Sequence, residues 1–191
     1  MKDSSSPGGA LVALGSNLGD SASILHQALD GLRERSVGPV EASSFWRTPP
    51  VDCPPGSPDF LNAVAHFEPL PSETPESLLD FLQSLERRAG RLPKQLQNEA
   101  RPLDLDLLGF REEVREGPRL TLPHPRASIR RFVLLPLAEL GPQWKLPGWS
   151  ETVSVLLDRL PPGPEARLLE PASFTLDWNG KRSQTGSRNA G

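Results

Sequence analysis

Cysteine is all but missing from this 191-residue chain, where Cys53 stands alone. One thiol permits no internal disulfide and fits a reducing compartment. Long apolar runs are missing too: the one near the start, Ala10 to Leu14, is too short for a signal-peptide core and far too short to span a bilayer. Both shortages point to a cytoplasmic protein with no membrane partner. A charge excess is also lacking, since 21 Lys and Arg face 24 Asp and Glu for a net charge of −3. Non-specific binding to nucleic acid wants a clear basic excess, so no nucleic-acid partner is expected and any phosphate chemistry must come from a local cluster. No GxxxxGKS/T loop is present to supply it, and no unit of roughly 20 to 50 residues repeats. What is left is a length that suits one domain, which buries roughly two thirds of its unfolded surface without a disulfide or metal staple.

Proline and glycine, by contrast, are plentiful. The 22 prolines and 16 glycines make the chain turn-rich, although below the roughly 25–30% of a low-complexity sequence. Eight of the prolines fall between Pro49 and Pro75, four more lie from Pro161 to Pro171, and the stretch after Asp177 is almost wholly polar. We therefore expect a domain over residues 1–160 and a poorly ordered tail over 161–191, with Phe174 to Trp178 undocked.

Within the domain, Ala10 to Leu14 reads as a buried strand ended by Gly15. Asp20 or Ser21 caps a helix with the stripe Ile24, Leu25, Ala28, Leu29 and Leu32. Val40 to Thr48 reads as one strand stopped by Pro49-Pro50. Phe60 to Glu68 alternates, with Leu61, Ala63, Ala65 and Phe67 on one face and Asn62, Val64 and His66 on the other. Thr74-Pro75 opens a helix with the stripe Leu78, Leu79, Leu82 and Leu85, ending at Gly90. Leu103 to Phe110 is a strand, paired with Arg119 to Leu122 across a turn at Glu112 to Gly117. Helices follow around Ile129 to Leu140 and Ser150 to Leu160. Strand, helix, strand, strand, helix, strand is the split βαβ order of an α+β, ferredoxin-like antiparallel sheet with helices packed on one face, here with C-terminal additions. Such a sheet keeps its other face free for ligands.

The sharpest chemical feature is Leu103-Asp-Leu-Asp-Leu107. Period-2 alternation sends three leucines one way and Asp104 and Asp106 the other, about 6 to 7 Å apart along the backbone. Aspartate is depleted in strands, so the pair calls for an explanation. One reading is a solvated outer face. The other is a hard-cation site, because carboxylate oxygens suit Mg²⁺ ions that take their remaining ligands from phosphates. Arg87, Arg88, Arg91, Lys94 and Arg101 lie on the approach with only Glu99 opposing them, and guanidinium forks suit phosphate. For Arg87 and Arg88 a basic helix end is as good an account. Gly15-Ser-Asn-Leu-Gly-Asp20 is explained by a tight turn and a helix cap. In Leu122-Pro-His-Pro-Arg126, His124 reads either as an incidental loop histidine, the commoner case, or as a side chain held in place by the flanking prolines.

Taken in order, Ala13-Leu-Gly-Ser-Asn-Leu18, Ser44-Phe-Trp-Arg-Thr-Pro-Pro50, Phe60-Leu-Asn-Ala-Val64, Gly90-Arg91, Arg101-Pro-Leu-Asp-Leu-Asp-Leu107, Leu122-Pro-His-Pro-Arg126 and Arg130-Arg-Phe-Val-Leu134 resemble the 6-hydroxymethyl-7,8-dihydropterin pyrophosphokinases of the folate pathway. The resemblance covers about Leu11 to Leu160. It implies transfer of the β,γ-pyrophosphoryl group of MgATP to the pterin hydroxymethyl oxygen with release of AMP, two Mg²⁺ ions, small-molecule substrates and a monomer. It also implies Asp104 and Asp106 as metal ligands, and Arg91 and Arg101 as catalytic residues that follow charge onto the β-phosphate. Arg91, Arg101, His124 and Arg130 would bind the ATP phosphates, with adenine against Leu107 and the Leu120-Thr121 backbone. The pterin would stack between Phe60 and Phe132, with Asn62 and the backbone around Thr48, Pro49 and Val51 on its edge.

Three departures stand out. Phe60 replaces a common Tyr in a chain with no tyrosine. Pro93 and Ala100 stand where the family's mobile loop usually has a second Arg and a Pro. Asn98 stands where some members have Trp. Two rivals share the D-x-D signal: a palm-like two-metal nucleotidyltransferase and a non-catalytic pterin or nucleotide binder.

Overall fold

In the computed structural model the described residues are 6–91 and 99–163, with the backbone of three short strands farther on. In chain order the elements are β1 (Ala10–Ser16), α1 (Ser21–Leu32), a 3₁₀ turn (Arg33–Arg35), β2 (Val40–Ala42), β3 (Trp46–Thr48), β4 (Phe60–Phe67), α2 (Pro75–Arg88), β5 (Asp104–Phe110), β6 (Arg115–Glu116) and β7 (Thr121–Leu122). A second 3₁₀ turn (Ala127–Ile129) leads into α3 (Arg131–Leu140), and α4 (Val153–Arg159), β8 (Arg167–Leu168), β9 (Phe174–Leu176) and β10 (Arg182–Gln184) follow.

Local chemistry sets the helix starts. Asp20 accepts a hydrogen bond from the Ser23 amide at the head of α1, and Thr74 and Ser77 cap each other at the head of α2, with Pro75 in its first turn. After α2 the chain turns through Gly90 at φ +88°, a conformation that favours glycine. In the apolar stripe of α2, Phe81 is buried and Leu79 only half-buried.

The sheet runs β10-β9-β2-β4-β1-β5, with β3 also on β4 and β8 on β3. Neighbouring strands are antiparallel, and β2-β4-β1-β5 is the order expected of the split βαβ plan. Helices α1 and α2 cover one face, where Val12, Leu14, Leu29, Leu82, Leu105 and Phe110 share a core. The additions α3 and α4 cover part of the other face through Leu11, Val64, Leu108, Val133 and Leu137. The face left open is thus the part beyond α3.

Two expected elements come out differently. Thr121–Leu122 pairs with Arg115–Glu116 rather than with β5. The two short strands satisfy each other instead, and the hairpin meets α2 through ion pairs from Arg115 to Glu76 and Arg119 to Asp80. The stretch Val40 to Thr48, expected as one strand, is broken. Ala42 lies opposite Ala65, yet Trp46 lies opposite Asn62. Four residue steps therefore match three, and Ser43–Phe45 carries one extra residue, a β-bulge. In the tail, β9 adds to β2 and β8 to β3, so Phe174–Leu176 is docked by its backbone. An uncovered sheet edge offers free N–H and C=O groups for this pairing. The tail residues around these strands lie outside the described ones. Among the described residues no helix is long and apolar enough to cross a membrane.

Candidate active site

Strand pairing lines up the site. Trp46, Asn62, Gly15 and Asp104 form one cross-strand row over β3, β4, β1 and β5, and two residues along Val64, Ala13 and Asp106 form the next row on the same face. Directly opposed residues point to the same face, so both aspartates stand on the open face with Asn62, while Leu105 and Leu107 turn into the core. The row is floored by small residues for a reason. A Cβ on Gly15 would come 3.1 Å from Asn62 Oδ1 and 3.8 Å from Asp104 Cβ. Gly15 was read as a strand end and turn residue; instead β1 continues to Ser16 and Gly15 is the floor of a cleft. The turn glycine is Gly19, at φ +81°.

That cleft holds about 230 Å³ and is lined by Thr48, Pro49, Val51, Phe60, Asn62, Arg101, Asp104, Asp106, Arg130 and Phe132, among others. It is smaller than the roughly 300–1,000 Å³ of drug-sized sites, which suits a flat heterocycle. Every residue expected on the pterin is therefore in one place. Asn62 Nδ2 donates to Thr48 Oγ1 at 2.7 Å, which leaves Oδ1 as an acceptor toward the cleft. A guanidinium lies over each wall ring, Arg101 at 5.5 Å from the Phe60 centroid and Arg130 at 5.4 Å from that of Phe132.

Asp104 is locked by two arginines: Arg91 Nη1 donates to Oδ1 at 2.8 Å and Arg101 Nη2 to Oδ2 at 2.8 Å. Asp106 is less well served, with Arg130 Nη1 3.8 Å away. Burial, and then the neighbouring Asp104, push the Asp106 carboxyl above its ordinary range, against the pull of His124 and Arg130. Burial likewise lowers His124, with Asp106 opposing. The loop holds His124 from both sides: its backbone amide donates to the Leu108 carbonyl at 2.9 Å, and Nδ1 accepts from the Arg126 amide at 3.2 Å. Arg130 is pulled down by burial and by Arg126.

A hard cation fits this donor set. Two adjacent carboxylates supply oxygen ligands, and a divalent ion would relieve the charge that burial disfavours on Asp106; the Arg101 Nε–H, buried without a partner beside them, is a donor suited to the phosphate such an ion would carry. Among the described residues no group of three or more His, Cys, Asp or Glu could hold a metal. The remaining ligands would have to be water and substrate phosphate, as magnesium commonly takes them.

Other expected residues sit apart. Leu107 is buried in the α1/α2 core with Leu120 packed against it, and Thr121 is half-buried on β7. These three gather at the β5 edge beside α2, outside the cleft. Arg87 and Arg88 are exposed at the end of α2. Ala100 is half-buried; Pro93, Lys94 and Asn98 lie outside the described residues.

Two supporting residues were missed. Glu86, buried on α2, accepts from the Leu105 amide at 2.8 Å and pairs with Arg91; burial, with Asp104 and Asp106 adding to it, raises its carboxyl against the pull of the Leu105 amide and Arg91. Its sequence signal is an acid among the leucines and arginines of one helix. Asn17 Oδ1 accepts from the Arg101 amide at 2.8 Å, and its own amide donates to the Arg101 carbonyl at 3.2 Å. Its signal is the Ser-Asn after a strand glycine, which a turn accounts for equally well.

Carboxylates and guanidiniums facing each other over an aromatic-walled slot place the molecule among phosphate-handling α+β sandwiches. Residues 11–142 match the family model described as 7,8-dihydro-6-hydroxymethylpterin-pyrophosphokinase, and the chain belongs to that family. It is 40% identical over 139 residues to the 2-amino-4-hydroxy-6-hydroxymethyldihydropteridine pyrophosphokinase of Haemophilus influenzae, covering 72% of this chain and 84% of that one. To the protein of the same name from Synechocystis sp. it is 35% identical over 152 residues, covering 80% and 76%. The fold resembles that of a Plasmodium falciparum HPPK-DHPS triple mutant at TM-score 0.61 and 15% identity, over 78% of this chain and 42% of that one. The chain thus spans less than half the length of that solved protein.

Proposed function

We propose that this chain transfers the pyrophosphoryl group of MgATP to the hydroxymethyl oxygen of 6-hydroxymethyl-7,8-dihydropterin, releasing AMP, as a step of folate biosynthesis. The observation that carries the reading is the juxtaposition of Asp104 and Asp106 with Arg91, Arg101 and Arg130 at the mouth of a slot walled by Phe60 and Phe132. Family membership supports the same activity.

In this reading the pterin ring lies between Phe60 and Phe132, where offset stacking is favourable. Asn62 Oδ1 accepts from its amino edge, and the backbone at Thr48, Pro49 and Val51 completes that edge. Arg91, Arg101, His124 and Arg130 hold the phosphates, and adenine reaches out of the cleft to the β5 edge, against Leu107, whose side chain faces the core, and the Leu120-Thr121 backbone. Asp104 and Asp106 would hold two Mg²⁺ ions, which when bound would neutralise phosphate charge and acidify the attacking alcohol. The new bond joins the pterin oxygen to Pβ, the bond from Pβ to the α,β-bridging oxygen breaks, and that oxygen leaves with AMP. The hydroxyl proton goes to solvent. Arg91 and Arg101 follow the charge that moves between the two groups, which is positioning and electrostatics rather than covalent work. We assign the reaction to residues 1–160, acting as a cytoplasmic monomer.

The test is AMP release from MgATP with and without hydroxymethyldihydropterin, at enzyme well below substrate. Pterin-dependent AMP supports the reading. Inorganic pyrophosphate without AMP would point to nucleotidyl transfer, and tight pterin binding without turnover to a binding protein.

A further inference from the structure

We propose that Glu139 is a positioning residue for the pterin slot: it latches the β-bulge that turns Thr48 toward Asn62. This deepens the function proposed above and rests on it for the identity of the ligand.

The argument starts from strand parity. Side chains alternate along a strand, so residues 42, 44, 46 and 48 of an unbroken strand share a face. Ala42 faces the α1/α2 core. Were the same residues paired one for one, with no bulge, Thr48 would face that core too, and its hydroxyl would be lost to the cleft. The bulge at Ser43–Phe45 reverses the parity. Phe45 fills the core at 1% exposure, Trp46 comes opposite Asn62, and Thr48 comes opposite Phe60. The Thr48–Asn62 hydrogen bond, and with it the direction in which the Asn62 amide faces, exists only in this register.

A bulge leaves backbone groups off the ladder, and a buried amide without a partner is costly. Ser43 meets part of the need: its amide donates to the Val64 carbonyl and its hydroxyl accepts from the Val64 amide at 3.0 Å. The Ser44 amide, in a residue only 2% exposed, finds its acceptor 95 residues farther along the chain. Glu139 Oε2 accepts from it at 2.7 Å, while Oε1 accepts from Trp46 Nε1 at 2.6 Å. Both bonds end on one carboxylate, and bonds to a charged acceptor are the stronger kind. Glu139 also lies on α3, the helix whose first turn bears Phe132. One side chain therefore fixes the bulge and ties the strand bearing Thr48 to the helix bearing the opposite wall of the slot. The hydrogen bonds of Glu139 end on Ser44 and Trp46, and none of the residues assigned to the phosphates is among its partners.

The full-length protein, Glu139→Gln and Glu139→Ala are titrated with an α,β-methylene ATP analogue and magnesium, then with hydroxymethyldihydropterin at saturating analogue. Both variants are expected to weaken pterin binding by about tenfold or more while analogue affinity stays within about twofold. In ¹H–¹⁵N spectra the Trp46 indole signal shifts and the Ser44 amide exchanges faster in each variant. Unchanged pterin affinity, or equal loss for both ligands together with a general fall in Tm, overturns the proposal. Should the alanine variant not fold, the isosteric glutamine variant decides alone. Wild-type protein that binds no pterin defeats the functional reading instead, and the unliganded Trp46 and Ser44 signals still decide whether Glu139 holds the bulge.

Discussion

Replacing Glu86 separates its hydrogen bond from its charge. Glu86→Ala removes the acceptor of the Leu105 amide, in a residue 5% exposed, and the partner of Arg91. A buried amide left unpaired costs about 1–3 kcal/mol, and the lost ion pair, whose arginine is partly exposed, adds at most about 1 kcal/mol. The sum, about 1–4 kcal/mol, lowers Tm by about 2–16 °C for a chain of this size. Glu86→Gln keeps an oxygen for the Leu105 amide and gives up only the charge, which burial already disfavours. It should cost under about 1 kcal/mol. Because the folded-state carboxyl is raised, the folded protein binds the extra proton, and wild-type stability falls as pH rises from about 4.5. The glutamine variant therefore gains on wild type through that window and holds the gain above it. Both variants free Arg91 on one side, so turnover falls at least about tenfold in each, as expected when a catalytic group is misplaced. Urea denaturation at several pH values, with AMP-release kinetics, makes the comparison. Equal destabilisation by Gln and Ala, or a loss below about 1 kcal/mol for Ala, would refute the hydrogen-bond argument.

Other outcomes follow from the same site. Asp104→Asn loses the charge that draws Arg91 and Arg101 together, so it should melt below wild type and abolish AMP release; calorimetry and the product assay check both. Asp106→Asn should also abolish turnover, yet in magnesium-free buffer it should melt above wild type at neutral pH, because the charged form of Asp106 is disfavoured by burial and Asp104. That advantage should vanish on acidification below about pH 3.8, where both proteins carry a neutral group; a variant that melts lower at pH 7 would contradict the assignment. Gly15→Val suits a strand but puts its methyls between Asn62 and Asp104, so circular dichroism should be native while pterin binding drops beyond detection. Retained binding would place the pterin elsewhere.

The fold was legible wherever local chemistry decides it. Thr74-Pro75 and Asp20 announce the two long helices by capping, and the alternation in Leu103 to Leu107 sends both aspartates to one face, as observed. The cleft gathers the residues from Thr48 to Phe132 that the family resemblance marked for the pterin. What was not legible depends on contacts distant in sequence. Nothing within Val40 to Thr48 marks a bulge whose amide is satisfied from α3. Gly15 passes for a turn residue until Asn62 and Asp104 are seen on either side of it. Glu86 passes for a surface acid until β5 packs over it. The hairpin pairs within itself and meets α2 through Arg115 with Glu76 and Arg119 with Asp80, partners about forty residues away that no local pattern announces.

The interrupted pairing of Ser43–Phe45 has an evolutionary corollary. Removing any one of these three positions would leave three steps facing three on β4, so the ladder would close flat with Trp46 and Thr48 still on their partners. What would go is the excursion of chain that carries the Ser44 amide out to the Glu139 carboxylate. A relative shortened by one residue there should therefore keep its slot yet dispense with the acid on α3, and the two losses should travel together through the family.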